Sequence, residues 1–361
     1  MTDDRLLELL AGLVACDTQN PPRTIDGDSA IFALCAEAVG SSFETQTWDY
    51  GDGHVSWLAV RGRPSLLFNV HLDTVPVGDG WATDPLELVV RDGRAYGRGS
   101  CDIKGAAAAL LTLAAEGATD LALLFTTDEE GEGGCCVDNF LEAGLAERFR
   151  QVVVAEPTGC RAVLAHRGFL SVKGWFEGTP GHSSEARALD ESAIHGMARW
   201  ADAALGVARG MKTSADDPGS CFNIGRIEGG TKSNVIAGRG FVHWSARLGP
   251  GQSNRAFLAA LEACVPDGVR ARWEVPFAGK PLPASGQDAG LAETFARDAG
   301  LEIGRPVDFW TEASVFSAAG LPALVLGPGD IAQAHQTDEW VSLDQLQVAY
   351  AVYGRLVKND G

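Results

Sequence analysis

His71-Leu72-Asp73 sets an imidazole and a carboxylate two residues apart, on one side of an extended chain because strand side chains repeat every second residue. An isolated H-x-D of this kind usually makes ordinary surface contacts. Here it has company: Asp102, the run Asp128-Glu129-Glu130, Glu156 and His335 offer further carboxylates and a second imidazole. Acidic groups gathered in one place raise one another's pKa values and destabilise the fold unless cations neutralise them. A mixed histidine and carboxylate set suits Zn²⁺, Co²⁺ or Mn²⁺ better than Ca²⁺, which takes oxygen alone, or copper, which favours more nitrogen and sulfur.

The elements that must position these groups are short apolar runs, continuous rather than alternating, as expected of strands buried on both faces. Leu66-Leu67-Phe68-Asn69-Val70 runs into His71, residues 121–127 run into Asp128-Glu129-Glu130, and Gln151-Val152-Val153-Val154-Ala155 runs into Glu156-Pro157. Ala323-Leu324-Val325-Leu326 precedes a Gly-Pro-Gly loop leading to His335. Asp102 stands near the start of an alanine-rich stretch, Ile103 to Ala115, that reads as a helix. Polar groups just past the carboxyl ends of buried strands occupy the edge where open α/β sheets bind ligands.

Between about residues 168 and 276 the pattern changes to half-buried alternation with two amphipathic helices. Strands over 169–176, 222–227, 241–248 and 269–275, with helices over 189–205 and 255–265, give the order βαββαβ of a ferredoxin-like sandwich. The predicted organisation is therefore a large α/β domain, residues 1–167 and 277–361, with residues 168–276 inserted into it.

The strings His71-Leu72-Asp73-Thr74-Val75-Pro76, Gly97-Arg98-Gly99 through Asp102-Ile103-Lys104-Gly105, Thr127-Asp128-Glu129-Glu130-Gly131, Ala155-Glu156-Pro157-Thr158, Gly181-His182-Ser183-Ser184 and Ala334-His335-Gln336-Thr337-Asp338-Glu339 resemble the M20 di-metal amidohydrolases and peptidases. They occur in family order along nearly the whole chain. Phe309-Trp310-Thr311-Glu312-Ala313-Ser314, residues 327–335 and Val163-Leu164-Ala165-His166-Arg167-Gly168 are similar to the acetylornithine and N-acetyl-L-citrulline deacetylase branch.

The resemblance implies a catalytic domain with a mixed, mostly parallel sheet flanked by helices, and an inserted lid and dimerisation domain. It implies two divalent ions, zinc or cobalt, bridged by Asp102, with His71 and Glu156 completing one site and Glu130 and His335 the other. Asp73 would accept the free ring N–H of His71, fixing its tautomer. Glu129 would be the general base, passing a proton to the departing amine. The implied reaction is hydrolysis of the acetyl amide of N-acetyl-L-citrulline to citrulline and acetate, in arginine biosynthesis. Acetylornithine deacetylases, desuccinylases, aminoacylases and dipeptidases are the neighbouring alternatives. A non-catalytic binding relative would have lost a ligand or the base, and all are present.

His182, in the inserted segment, matches a family histidine that stabilises the oxyanion, often from the partner subunit of a homodimer; the plainer alternative is a capping residue beside a tight turn. Arg247 and Asn234 match groups that bind the substrate carboxylate, although an arginine on a polar strand face is more often simply solvated. Glu312 is equally open as pocket lining or surface loop. Ile103 stands where methionine is common, and Cys101 beside Asp102 raises the question of oxidation.

The 361 residues exceed one ordinary domain. A formal charge of −19 repels phosphate backbones and anionic lipid, so neither nucleic acid nor membrane is an expected partner. Eight cysteines without C-x-x-C spacing suit a reducing compartment, and cytoplasmic location is the expectation. Leu13-Val14-Ala15-Cys16 imitates a lipoprotein cleavage site, but the acidic residues 1–4, Glu8 and the one-sided placement of Leu6, Leu7, Leu10, Leu13 and Val14 favour an amphipathic helix. No internal repeat, G-x-S-x-G elbow or H-E-x-x-H is present, and Pro328 spoils the dinucleotide-like Gly327-Pro328-Gly329-Asp330-Ile331-Ala332. His54, His166, His195 and His243 read as core or surface histidines rather than ligands.

Overall fold

The computed structural model describes residues 2–22, 24–131, 133–211, 220–249, 251–284 and 286–360. They form two compact units: Met1–Ala165 with Ser285–Pro306 and Thr311–Gly361, and His166–Ala284 with Val307–Trp310. The second unit thus begins two residues earlier and ends eight later than the change of pattern at 168 and 276, and it reclaims a short later segment. His166 explains that return, bridging to both Leu282 and Val307.

The first unit is built on a six-stranded sheet in the order Glu44–Asp49, Val55–Arg61, Leu121–Thr126, Leu66–His71, Gln151–Val154, Ala323–Val325. The last four run parallel and the first two pair antiparallel, so the sheet is mixed and mostly parallel. Leu66–His71 and Leu121–Thr126 are buried along their whole length, as their mostly apolar runs require, Asn69 being the buried polar residue within the first.

Helix Lys104–Ala115 lies in the core; its glycine and alanines let the helices Thr2–Ala15, Ala30–Val39 and Leu343–Asp360 approach closely. It starts one residue later than the sequence suggests, after a cis Asp102–Ile103 peptide. In the N-terminal helix, Leu6, Leu10, Leu13 and Val14 are buried as expected, while Leu9 takes the place expected of Leu7 on the core face. Among the described residues no helix is long and apolar enough to cross a membrane.

The second unit holds an antiparallel sheet in the order Cys221–Gly229, Arg239–Arg247, Phe169–Glu177, Arg270–Gly279. Helices Ala193–Gly210 and Asn254–Glu262 supply a separate core around Trp200, Trp244 and Phe257. Alternate residues of Arg239–Arg247 enter that core, Val242, Trp244 and Ala246 among them, which is the pattern of a sheet covered on one face.

Candidate metal centre

In the first unit the strand exits bring two imidazoles onto one carboxylate. His71 ends the strand Leu66–His71, and its Nε2 lies 3.2 Å from Asp102 Oδ1 and 3.3 Å from Glu156 Oε1. His335 Nε2 lies 3.1 Å from Asp102 Oδ2 and 3.0 Å from Glu130 Oε1. Asp102 therefore turns one oxygen to each histidine, and each histidine has a second carboxylate of its own. The two groups of one nitrogen and two oxygens share Asp102.

His71 is oriented from behind. Its Nδ1 donates to the backbone oxygen of Asp73 at 2.9 Å, while Asp73 Oδ1 is farther away at 3.5 Å. The Asp73 carboxylate, completely buried, is engaged elsewhere: Oδ2 accepts Asn20 Nδ2 at 2.8 Å and the backbone N–H of Glu130 at 2.9 Å, and Oδ1 accepts the N–H of Glu129 at 3.3 Å. His335 has φ of +59°, a left-handed conformation uncommon outside glycine and often found at functional positions.

Electrostatics press on the same groups. Burial drives Glu129 well above the usual carboxylate range, with Glu156, Glu130 and Asp102 adding to it. Burial likewise raises Glu130, and it pushes Glu156 up to about 7 with help from Asp102. For Asp102 burial acts upward too, but hydrogen bonds from His335 and His71 outweigh it and hold the carboxyl well below its ordinary value. His335 is pushed up to about 11 by its bonds to Asp102 and Glu130. Burial opposes charge on His71, yet Glu156, Asp102 and Asp73 hold it well above its usual value. The carboxylates thus draw positive charge onto both imidazoles, the kind of charge a divalent ion supplies.

Glu156 Oε1 tests the fit independently. It is buried and makes no well-formed hydrogen bond, its contact with His71 Nε2 at 3.3 Å being a long ion-pair approach. A buried acceptor of this kind is costly unless something electropositive completes it. The ligand atoms of His71, Asp102 and Glu130 lie within 4.8 Å of one another, so the two groups that meet at Asp102 are close enough to hold neighbouring ions. The donor set, nitrogen and oxygen in both groups, fits borderline divalent metals.

A second histidine, cysteine and aspartate group lies nearby in sequence: His54, Asp128 and Cys136. Asp128 Oδ2 already takes His54 Nδ1 at 2.8 Å and the backbone N–H groups of Cys135 and Cys136 at 2.6 and 2.9 Å. That oxygen is filled by donors that anchor the loop after Glu130. The other set-aside histidines have local partners as well: His166 Nδ1 meets Arg167 O at 2.8 Å, His195 Nδ1 meets Leu189 O at 3.3 Å, and His243 Nε2 meets Ser171 Oγ at 2.8 Å.

Glu312 is buried just before helix Ala313–Ala318, not on an exposed loop, and accepts Thr126 Oγ1 at 3.0 Å. Burial pushes it up to about 8, with the charge of Asp128 adding to the shift. Cys101 is buried with its thiol held well above its ordinary value by desolvation, which makes it a poor target for oxidation. The Gly-Pro-Gly loop also has a packing reason: a Cβ on Gly327 would come within 2.3 Å of Ala155 O.

The remaining predicted residues belong to the second unit. His182 pairs in a two-stranded ribbon with Val235, and its Nδ1 meets Ser184 Oγ at 2.8 Å. Asn234 is beside it, accepting the N–H of Ser183 at 3.1 Å. Arg247 is on the four-stranded sheet instead, its guanidinium 3.9 Å above the ring of Phe169; Pro250, two residues beyond Leu248, lies outside the described residues. A cavity of about 560 Å³ in this unit, lined by Leu170, Asn254 and Lys280 among others, includes none of the three. Asn20 is a contact the sequence did not point to, and Arg98 and Glu339, though within the family strings, had no role assigned.

The sequence model of peptidase family M20/M25/M40 matches residues 67–359, and the chain belongs to that family, as a metal-dependent amidohydrolase. It is 46% identical over 349 residues to the N-acetyl-L-citrulline deacetylase of Xanthomonas campestris pv. campestris, covering 94% of each chain. It is 34% identical over 345 residues to the acetylornithine deacetylase of Myxococcus xanthus, covering 89% of this chain and 88% of that one. Its fold is similar to that of a dinuclear metal-binding M20 peptidase from Bacillus subtilis, with a TM-score of 0.66 at 13% identity over 99% of this chain and 97% of that one.

Proposed function

We propose that this protein hydrolyses the acetyl amide of N-acetyl-L-citrulline, releasing citrulline and acetate, and so acts in arginine biosynthesis. The observation that carries the proposal is Asp102 facing His71 with one oxygen and His335 with the other. In this reading His71, Asp102 and Glu156 hold one divalent ion and Asp102, Glu130 and His335 the second, with zinc or cobalt the metals that suit the donors. When bound, such ions polarise a carbonyl and lower the pKa of water.

The chain's own groups divide the remaining work. Glu129, next to the ligand Glu130 and held through its backbone by Asp73, is placed to act as the general base that takes a proton and returns it to the departing amine. Asp73 sets the backbone of Glu129 and Glu130 while its carbonyl fixes His71. Glu312 lines the substrate pocket in this proposal. His182 stabilises the developing oxyanion, and Arg247 and Asn234 take the substrate carboxylate. A planar guanidinium stacked on an aromatic ring is well suited to a carboxylate.

The second unit serves in this reading as a lid and as the dimerisation surface of a homodimer. The edge strand Cys221–Gly229 is open along most of its length and exposes Ile227, which supports a strand-edge contact. A cytoplasmic location fits the absence of any disulfide among the eight cysteines. The 46% identity to an N-acetyl-L-citrulline deacetylase, against 34% to an acetylornithine deacetylase, supports citrulline as the amine released.

The test is acetate release from N-acetylcitrulline, N-acetylornithine, N-succinyl-diaminopimelate and simple dipeptides. N-acetylcitrulline should give the highest kcat/KM. Faster release from N-acetylornithine would replace the substrate while leaving the metal centre intact.

A further inference from the structure

One buried carboxylate outside the proposed ligand set gathers four donors. Glu339 is 1% exposed. Its Oε2 accepts Arg98 Nη1 at 2.6 Å and the backbone N–H of Gly99 at 3.0 Å. Its Oε1 accepts the backbone N–H groups of Cys101 at 2.9 Å and Asp102 at 3.0 Å. Arg98, also buried, makes a second contact with the Glu339 segment through Gln336 O at 3.4 Å and reaches a third segment through Pro76 O at 3.2 Å.

We infer that Glu339 is a positioning residue: with Arg98 it clamps the segment carrying Asp102 to the segment carrying His335, so that Asp102 presents an oxygen to each histidine. The inference rests on the proposed roles of Asp102 and His335 as ligands. The direction in which a carboxylate points is set by the peptide planes on either side of it. Both N–H groups that define the approach to Asp102 end on a single Glu339 oxygen, only four residues from His335. Charge-assisted bonds of this kind are short and directional, so the loop has little freedom to swing. His335, by contrast, is half exposed and in a left-handed conformation, so its distance from Asp102 depends on how its segment is held against the Asp102 loop.

A purely structural role would make a variant melt earlier without altering the ion site, so metal affinity is the deciding measurement. The full-length protein is stripped with a chelator and titrated with Co²⁺ by calorimetry, and its visible absorption is recorded. Wild type should bind two ions; binding of fewer would overturn the ligand assignment and this inference with it. Glu339→Gln, which cannot accept at both ends, should bind at least one ion about 10- to 100-fold more weakly and show an altered cobalt spectrum. Glu339→Asp keeps the charge against Arg98 but is too short to reach all four donors. It covers the case in which the amide variant does not fold, and it should show the same loss. Two ions bound by either variant with wild-type affinity and an unchanged spectrum would overturn the positioning role while leaving the metal centre standing.

Discussion

Asp73 Oδ2 accepts the backbone N–H of Glu130 at 2.9 Å, across 57 residues of sequence. The same carboxylate accepts the N–H of Glu129, while the Asp73 carbonyl takes the ring N–H of His71. A residue expected to serve only the imidazole therefore holds three elements of the site: the proposed base, one proposed ligand and the orientation of another.

Replacing Asp73 with Asn tests this sharing. An amide has one oxygen where the carboxylate has two, so its NH₂ must face either Asn20 and Glu130 or Glu129, each of which is a donor. The expected result is a fall of roughly 10- to 100-fold in kcat together with weaker metal retention, read by steady-state kinetics and elemental analysis. Full activity with full metal content would show that the imidazole alone was being served, and through the backbone.

Glu129 should separate chemistry from metal binding. Glu129→Gln keeps its shape and removes the basic oxygen, so kcat should drop by roughly 10²- to 10⁴-fold. Metal content should stay at the wild-type value, since Glu130 and Glu156 are untouched. Loss of an ion in this variant would move Glu129 from base to ligand.

Glu312 makes a prediction about pH and stability. Its carboxyl titrates at about 8 in the folded protein, raised from an ordinary value of 4.5 by burial and by Asp128. Between those two values the folded chain keeps a proton that the unfolded chain releases. The contribution is thus fully present below the ordinary value and is lost as pH rises through about 8. Glu312→Gln mimics the protonated side chain at every pH. In metal-free protein its Tm should match wild type near pH 5 and exceed it by roughly 3 °C near pH 8.5. Parallel Tm profiles for the two proteins would mean that Glu312 is ionised in the fold.

Much of this centre was legible in the sequence because it is built at strand exits. Leu121 to Phe125 is a continuous apolar run and Leu66 to Val70 one broken only by Asn69, so both faces must be buried and the polar residues that follow must fall at the sheet edge. Other features left no such trace. The strand Glu44–Asp49 is almost wholly exposed at the edge of the sheet, and its polar residues carry no apolar signal. The Asp73–Asn20 bond spans 53 residues and the Glu339–Asp102 bond 237, and periodicity says nothing about contacts at that range. The return of Val307–Trp310 to the second unit escaped for the same reason, since a bridge from His166 decides it and not local composition.

Arg247 distinguishes a binding role from a packing one. Its guanidinium stacks on Phe169 at 3.9 Å, an arrangement that stabilises the sheet face whether or not substrate is present. If Arg247 also takes the substrate carboxylate, Arg247→Ala removes a charge-assisted pair made equally in the ground and transition states. KM for N-acetylcitrulline should then rise by roughly 10- to 100-fold with little change in kcat. Arg247→Lys should recover only part of that loss, because an ammonium cannot make the same paired contact. The metal centre belongs to the other unit, so ion stoichiometry should not change. A variant that melts earlier but keeps the wild-type KM would assign Arg247 to packing alone, and the carboxylate partner would have to be sought elsewhere.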